Sequence, residues 1–195
     1  MKPTARNVTA IMPTLGRSRY LGAALCALRG DGGDALEIVV VAPRSAVLAS
    51  DRPDALRLEG GGLEAEGLEA EGLVDRVLRT DRPLGFAAAN NLALAATDRP
   101  IVALVNDDAV IEPGWLHALL DALAEDPQLA AVQGVNLRLR EGDDDARPDG
   151  SLDGWGIGWN SWFQAVQLGH GRPMNDAPTE PVDVFGVAAT AALYR

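Results

Sequence analysis

Ile101-Val102-Ala103-Leu104-Val105-Asn106-Asp107-Asp108-Ala109-Val110-Ile111-Glu112-Pro113-Gly114-Trp115-Leu116 is the stretch on which the reading of this chain turns. Ile101 to Val105 has no polar position, the pattern of a strand buried on both faces of a parallel sheet. Two carboxylates follow at once. Pro113 suits the first position of a helix, and Leu116, Leu119, Leu120 and Leu123 then fall on one face before Asp126-Pro127 ends it. The same alternation recurs on either side. Val8 to Met12 is an apolar run stopped by Pro13, and Ser18 opens a helix with Leu21, Ala24, Leu25 and Leu28 at helical spacing up to Gly30. Glu37 to Val41 is a second continuous run and Val74 to Leu78 a shorter third; Gly85 to Ala96 reads as a helix broken by Asp98-Arg99-Pro100, and Leu129 to Leu139 as a further strand. Strand and helix in alternation predict an α/β domain with a mostly parallel central sheet, whose ligands bind beyond the carboxyl ends of the strands.

Length and composition fit one domain spanning residues 1–195 with a full hydrophobic core. No apolar run approaches the ~18 residues of a membrane span, and Lys2 to Arg6 lead into a strand instead of a signal-peptide core, so a cytoplasmic location is expected. A formal net charge of -11 disfavours nucleic acid as a partner and means that an anionic ligand needs a local cation, either a metal or a few placed arginines. Two histidines far apart, His117 and His170, argue against a histidine-rich zinc site. The single cysteine, Cys26, lies among Ala24, Leu25 and Leu28 and is expected to be a buried, inert thiol. Gly62-Leu63-Glu64-Ala65-Glu66 is repeated as Gly67-Leu68-Glu69-Ala70-Glu71; the period matches neither helix nor strand and suggests a solvated insertion. Glu141 to Gly150, with Asp143-Asp144-Asp145, lacks the ligand spacing of a calcium loop and reads as an exposed loop.

Asp107 and Asp108 directly after a buried strand lie where an α/β fold opens its ligand crevice, and they repel each other unless a cation or hydrogen-bond donors compensate. Magnesium or manganese does this well, because either takes one or two protein carboxylates and completes its shell with water and phosphate oxygens. In an extended segment the two side chains point to opposite sides, so they need not share a role. Taken alone, the pair reads better as a cap on the helix near Pro113.

The pair has company. With Val8-Thr9-Ala10-Ile11-Met12-Pro13-Thr14 and Arg82-Pro83-Leu84-Gly85-Phe86-Ala87-Ala88-Ala89-Asn90-Asn91, in this order and spacing, the segment resembles the family 2 glycosyltransferases of GT-A fold, especially bacterial rhamnosyltransferase-like members. The tail, with Gly154-Trp155-Gly156 and Val184 to Arg195, is similar to the acceptor-side half of that family. The resemblance implies a Rossmann-like GT-A domain that binds a nucleotide-diphosphate sugar through a divalent metal, Mg or Mn, and passes the sugar with inversion to a hydroxyl of a glycan or lipid-linked acceptor, as in cell-wall or polysaccharide biosynthesis at the inner face of a membrane. It implies Pro13 and Thr14 beside the base and ribose, Asn90 in the nucleotide pocket, Asn106 or Asp107 reaching ribose or diphosphate, and Asp108 as metal ligand. The residues themselves leave Pro13 open as a strand stop and Asn90 as a helix cap.

Two departures from the family matter. Where relatives carry an acidic motif against the base after the second strand, this chain has Ala42-Pro43-Arg44-Ser45. Arg44 can contact a base edge or phosphate instead, or remain an exposed loop arginine. The family's general base sits in a Glu-Asp pair beyond Leu-Tyr-Arg, the last residues here being Leu193-Tyr194-Arg195. The expectation is therefore a domain lacking the base-bearing segment, which binds donor and transfers little. A nucleotide-sugar or glycan-binding module without turnover is one rival and a nucleotidyltransferase another, the latter disfavoured by the absence of a Gly-rich triphosphate loop near the first strand. Trp155, Trp159 and Trp162 can stack on an acceptor sugar or pack in the core.

Overall fold

A computed structural model describes residues 2–46, 72–140, 142 and 145–195; the tandem repeat at 62–71 and Asp143-Asp144 lie outside the described residues. The central sheet contains β1 (Val8–Pro13), β2 (Glu37–Pro43), β3 (Arg76–Thr80), β4 (Ile101–Val105), β5 (Ala131–Gln133) and β10 (Ala191–Tyr194), in the order β3-β2-β1-β4-β10-β5. β1 to β4 are mutually parallel, and β10 runs antiparallel to both β4 and β5. The sheet is thus mixed and mostly parallel, as expected.

Period-two side-chain geometry explains why the strands read as unbroken apolar runs. Val8, Ala10 and Met12 of β1, with Ile38, Val40 and Ala42 of β2, pack on one face against α1 (Leu21–Gly32) and α3 (Trp115–Glu125). Ile11, Val39, Val41 and Val102 pack on the other against Ala89 and Ala93 of α2 (Phe86–Leu94). Both faces are covered, so no position of β1 or β2 can be polar unless it is paired. Thr9 is such a position: its hydroxyl donates to Glu37 Oε2 at 2.5 Å and meets Thr97 Oγ1 at 2.5 Å. Arg99 closes the same end of the sheet. Its Nη1 donates to the carbonyls of Val8 and Ala35, each at 2.8 Å, and of Ala5 at 3.3 Å, while Nε lies 3.5 Å from Glu37.

The structure corrects several sequence expectations. Pro113 is not the first helical residue: Gly114 follows with φ +89°, a left-handed conformation a helix cannot contain, and α3 begins at Trp115. Its first turn is capped from elsewhere, since the Asp31 carboxylate of α1 accepts from the backbone N–H of Gly114 at 2.5 Å and of Leu116 at 2.7 Å. The run 129–139 is two strands. Ala131–Gln133 joins the central sheet, whereas β6 (Asn136–Leu139) pairs with β7 (Pro148–Gly154), the change of partner falling at Gly134-Val135. β7 also takes the last residues of the stretch expected to be a loop. The third strand begins two residues later than its apolar run, at Arg76, because Asp75 turns inward to accept from Ile38 N at 2.7 Å. Cys26 is half-buried against the core instead of fully enclosed. Among the described residues no helix is long and apolar enough to cross a membrane.

Candidate functional site

In the order β3-β2-β1-β4 the chain winds one way from β1 to β3 and the other way to β4, so the crevice between the ends of β1 and β4 is a topological switch point, where open α/β sheets bind ligands. Thr14 leaves β1 there and is buried, at 5% exposure; its N–H donates to Val41 O at 2.9 Å, which carries the β1–β2 pairing one residue past Pro13. Its hydroxyl accepts from Gly16 N at 2.9 Å and donates to Asp107 Oδ2, joining the two chain segments. On the β4 side, Asn106 N donates to Thr190 O at 2.9 Å, and Ala109 N to Asn106 O at 3.1 Å. The second bond closes a tight turn with Asp107 and Asp108 at its two central positions. The segment is therefore a turn and not the extended chain expected, yet the two carboxylates still part company. Asp107 is half-buried against Thr14, and Asp108 is exposed.

Burial is the main cause that pushes the Asp107 carboxyl above its ordinary value; the Thr14 hydrogen bond opposes this and the Asp108 charge adds to it. For a carboxyl raised above its unfolded value of 3.8, the linked stability is complete below that value and is lost as pH rises through the folded one. Asp107→Asn keeps an acceptor for Thr14 and cannot ionise. It is expected to raise the melting temperature of the ligand-free protein at pH 7 and to flatten its dependence on pH in the acid range. Melting curves across pH check this, and a variant less stable than wild type at pH 7 contradicts it.

A cavity of about 580 Å³ opens over this crevice. Pro13, Thr14, Asp107 and Asp108 line it together with Val41, Ala42 and Pro43 from β2 and Phe86 and Ala89 from α2. Arg17, Ser18, Arg19 and Tyr20, from the loop between β1 and α1, complete it, with the Arg19 guanidinium 5.7 Å above the Tyr20 ring. Sequence reasoning missed these arginines. The available signal was a pair of cations placed directly after the first strand in a chain short of positive charge. Three expected residues are not in the wall. Arg44 is exposed and pairs with Asp81, itself exposed, at 3.2 Å. Asn90 stands in the second turn of α2, buried at 4% exposure, and donates to Phe86 O at 2.9 Å, so it is an interior helix residue and not a cap. Asn106 is half-buried and is also absent from the lining.

A second cavity of about 770 Å³ adjoins the first, and Asp108 lines both. Its walls come from the 109–115 turn, from Gly134 to Leu137 and β7, and from Thr190 and Ala191 at the start of β10. The three tryptophans read either as acceptor-stacking or as core residues line neither cavity. Trp155 packs so closely over Gly169 that a Cβ there would fall 1.8 Å from its ring. Trp159 meets Phe185 edge-on at 4.9 Å, and Trp162 is exposed at the tip of the hairpin joining β8 (Ile157–Trp159) to β9 (Ala165–Gln167).

Comparison with known proteins gives three likenesses. The family described as "Glycosyl transferase family 2" matches residues 65–189. The uncharacterized protein y4gI of Sinorhizobium fredii (strain NBRC 101917 / NGR234) is 47% identical over 68 residues, 34% of this chain and 7% of that protein. A solved structure, the mannosyltransferase PcManGT from Pyrobaculum calidifontis in complex with GDP-Man and Mn2+, is similar at 25% identity and a TM-score of 0.49, over 71% of this chain and 37% of that one. This chain thus spans well under half the length of either protein.

Proposed function

The chain belongs to glycosyl transferase family 2, its mixed and mostly parallel sheet being the GT-A arrangement, and from that premise we propose that it binds a nucleotide-diphosphate sugar in the crevice between β1 and β4 and inverts the anomeric centre on transfer to an acceptor hydroxyl. The observation that carries the reading is the contact between Thr14 and Asp107. It joins the ends of the two strands that flank the switch point and sets the exposed Asp108 where the two cavities meet.

In this reading the nucleoside lies along Pro13, Thr14 and the apolar wall of Val41, Ala42 and Pro43. That wall supplies packing and backbone groups where relatives place a carboxylate. Arg17 and Arg19 face the diphosphate as the local cations that an acidic chain requires. Arg44 takes no part, and Asn90 acts from behind the wall by holding α2.

The residues also fit a divalent metal. Asp107 and Asp108 offer hard oxygen donors, and a half-buried carboxyl raised chiefly by burial and further by the charge of Asp108 is a group that a cation compensates. Among the described residues no set of three His, Cys, Asp or Glu side chains converges, and Asp107 with Asp108 offers one or two carboxylates. Magnesium and manganese accept that share when phosphate oxygens complete the shell. Asp108 is the ligand in this proposal, with Asp107 held back by Thr14, and the bound ion would stabilise charge developing on the leaving diphosphate.

The test is a thermal-shift screen of nucleoside diphosphates with manganese and with chelator. A ligand at a hundred times its dissociation constant adds about 2.7 kcal/mol to apparent stability, and the gain should require the metal. If no nucleoside diphosphate shifts the melting temperature in manganese, the proposal fails.

A further inference from the structure

From Gly154 to Gly169 no residue carries a charge, in a chain where 23% of residues do. The middle of that stretch is the hairpin of β8 and β9, whose tip is Asn160-Ser161-Trp162-Phe163-Gln164. Phe163 is 86% exposed and Trp162 81%, so both rings stand in solvent. Lower down, Trp159 and Phe185 cover each other edge-on, and a bridge between Ile157 and Gly186 ties their two segments together. Among the described residues the two tip rings have no such cover.

The loop is built to hold them out. Phe163 N donates to Asn160 O and Asn160 N to Gln164 O, each at 3.1 Å, which makes a tight turn followed by one left-handed residue. That residue is Phe163, with φ +56°. Hairpin loops of this kind place glycine there, because a bulky side chain is strained in the left-handed conformation. Asn160 holds the strain: its Oδ1 accepts from Trp162 N at 2.9 Å and from Gln164 N at 3.0 Å, while its Nδ2 donates to Gln164 Oε1 at 3.1 Å. Glycine at 163 would relax this loop, and phenylalanine adds nothing to the core.

We propose that Trp162 and Phe163 enter the boundary between headgroups and acyl chains of a lipid bilayer with neutral headgroups. Three features select this occupant. A protein partner or a second copy needs about 800 Å² on each side, and two aromatic side chains offer at most roughly 500 Å². A sugar polymer is held by stacking together with directed hydrogen bonds, and both amides of the tip are spent on the loop itself. A fluid interface asks for neither complementary shape nor directed partners, and aromatic rings settle in it by their apolar bodies, with the indole N–H of Trp162 left to the headgroups. Charge sets the kind of lipid. The net charge of -11 repels an anionic surface, and the tip carries no Lys or Arg to draw one, so the surface is zwitterionic. Two rings on one tip bind weakly and reversibly, as a single acyl chain does.

The test is cosedimentation of the whole chain with phosphatidylcholine vesicles at millimolar lipid, together with quenching of tryptophan emission by the same lipid brominated on its acyl chains. Wild type is compared with Trp162→Ser, with Phe163→Gly and with the two combined. The expected result is that wild type partitions and is quenched, and that the double variant loses about tenfold or more in partition, since each buried aromatic ring contributes on that scale. Phe163→Gly should melt no lower than wild type, because glycine relieves the left-handed position. Replacing part of the lipid by phosphatidylglycerol should not strengthen binding. The proposal is overturned if wild type does not partition, if the double variant partitions like wild type, or if binding requires phosphatidylglycerol. It is overturned equally if dextran and not lipid changes the tryptophan emission, or if sedimentation velocity shows that the variants act only by breaking up an oligomer. A Phe163→Gly that melts lower, beside a Trp162→Ser that partitions like wild type, returns the tip to a structural role.

Discussion

Asp108→Asn should lower the affinity for a nucleoside diphosphate in manganese by roughly 10²-fold or more, because even partners outside a metal's own ligand shell change its affinity by about 10- to 100-fold. The argument is electrostatic. A diphosphate that approaches Asp107 and Asp108 without a cation meets like charge, whereas a bound metal reverses the local sign. Asn keeps the size of the side chain and removes the charged ligand. The fold should not suffer, since Asp108 is exposed and one carboxylate fewer relieves the repulsion felt by the half-buried Asp107. Titration calorimetry of wild type and variant, in manganese and in chelator, decides the matter. Equal affinity in all four conditions would return the acidic pair to a local role in its turn.

Arg99→Met should do the opposite, removing stability and sparing the site. The guanidinium is 27% exposed and holds the carbonyls of Ala5, Val8 and Ala35 together with Glu37, at the amino ends of β1 and β2. Met keeps the apolar stem and leaves those acceptors and the Glu37 carboxylate short of a donor. Hydrogen bonds to charged groups are worth about 1.5–3 kcal/mol each and a broken buried pair about 3–5, so for this part-buried cluster a loss of about 3 kcal/mol is expected. For a chain of this length that corresponds to about 6–12 °C in melting temperature. Nucleotide affinity at temperatures where the variant is folded should stay within about twofold, because the crevice lies at the other end of these strands. A thermal melt and a titration on the same preparation check both halves, and a large loss of affinity would show that the two ends of the sheet are coupled.

What could be read from the sequence, and what could not, follows the range of the interactions involved. β1, β2 and β4 are legible because a strand covered on both faces leaves no room for polar residues, and α3 is legible because its four buried leucines repeat at helical spacing. The start of α3 was misplaced because its cap, Asp31, is supplied by another helix. β10 gave no signal: Ala191 and Ala192 have little strand propensity, and the strand exists because β4 and β5 flank it. At the site, the order of three weak motifs pointed to Thr14 and Asp107, which meet across most of a hundred residues of sequence. The arginines at 17 and 19 were overlooked because a loop cation announces nothing until the fold sets it beside a cavity. Arg44, read as a candidate nucleotide contact, pairs instead with Asp81, a neighbour that only the folded sheet supplies.

The place of β10 in the sheet has a consequence for biosynthesis. Residues 191–194 lie between β4 and β5 and supply the antiparallel partner of each. A ribosome delivers β4 some ninety residues before it delivers β10, at about 5–20 residues per second. Through that interval the outer edge of Ile101 to Val105 has no partner within the sheet. An apolar strand with one open edge is a template for pairing with another chain. Nascent protein stalled between β5 and β10 should therefore aggregate or be held by chaperones, whereas chains stalled after β10 has joined the sheet should do so far less.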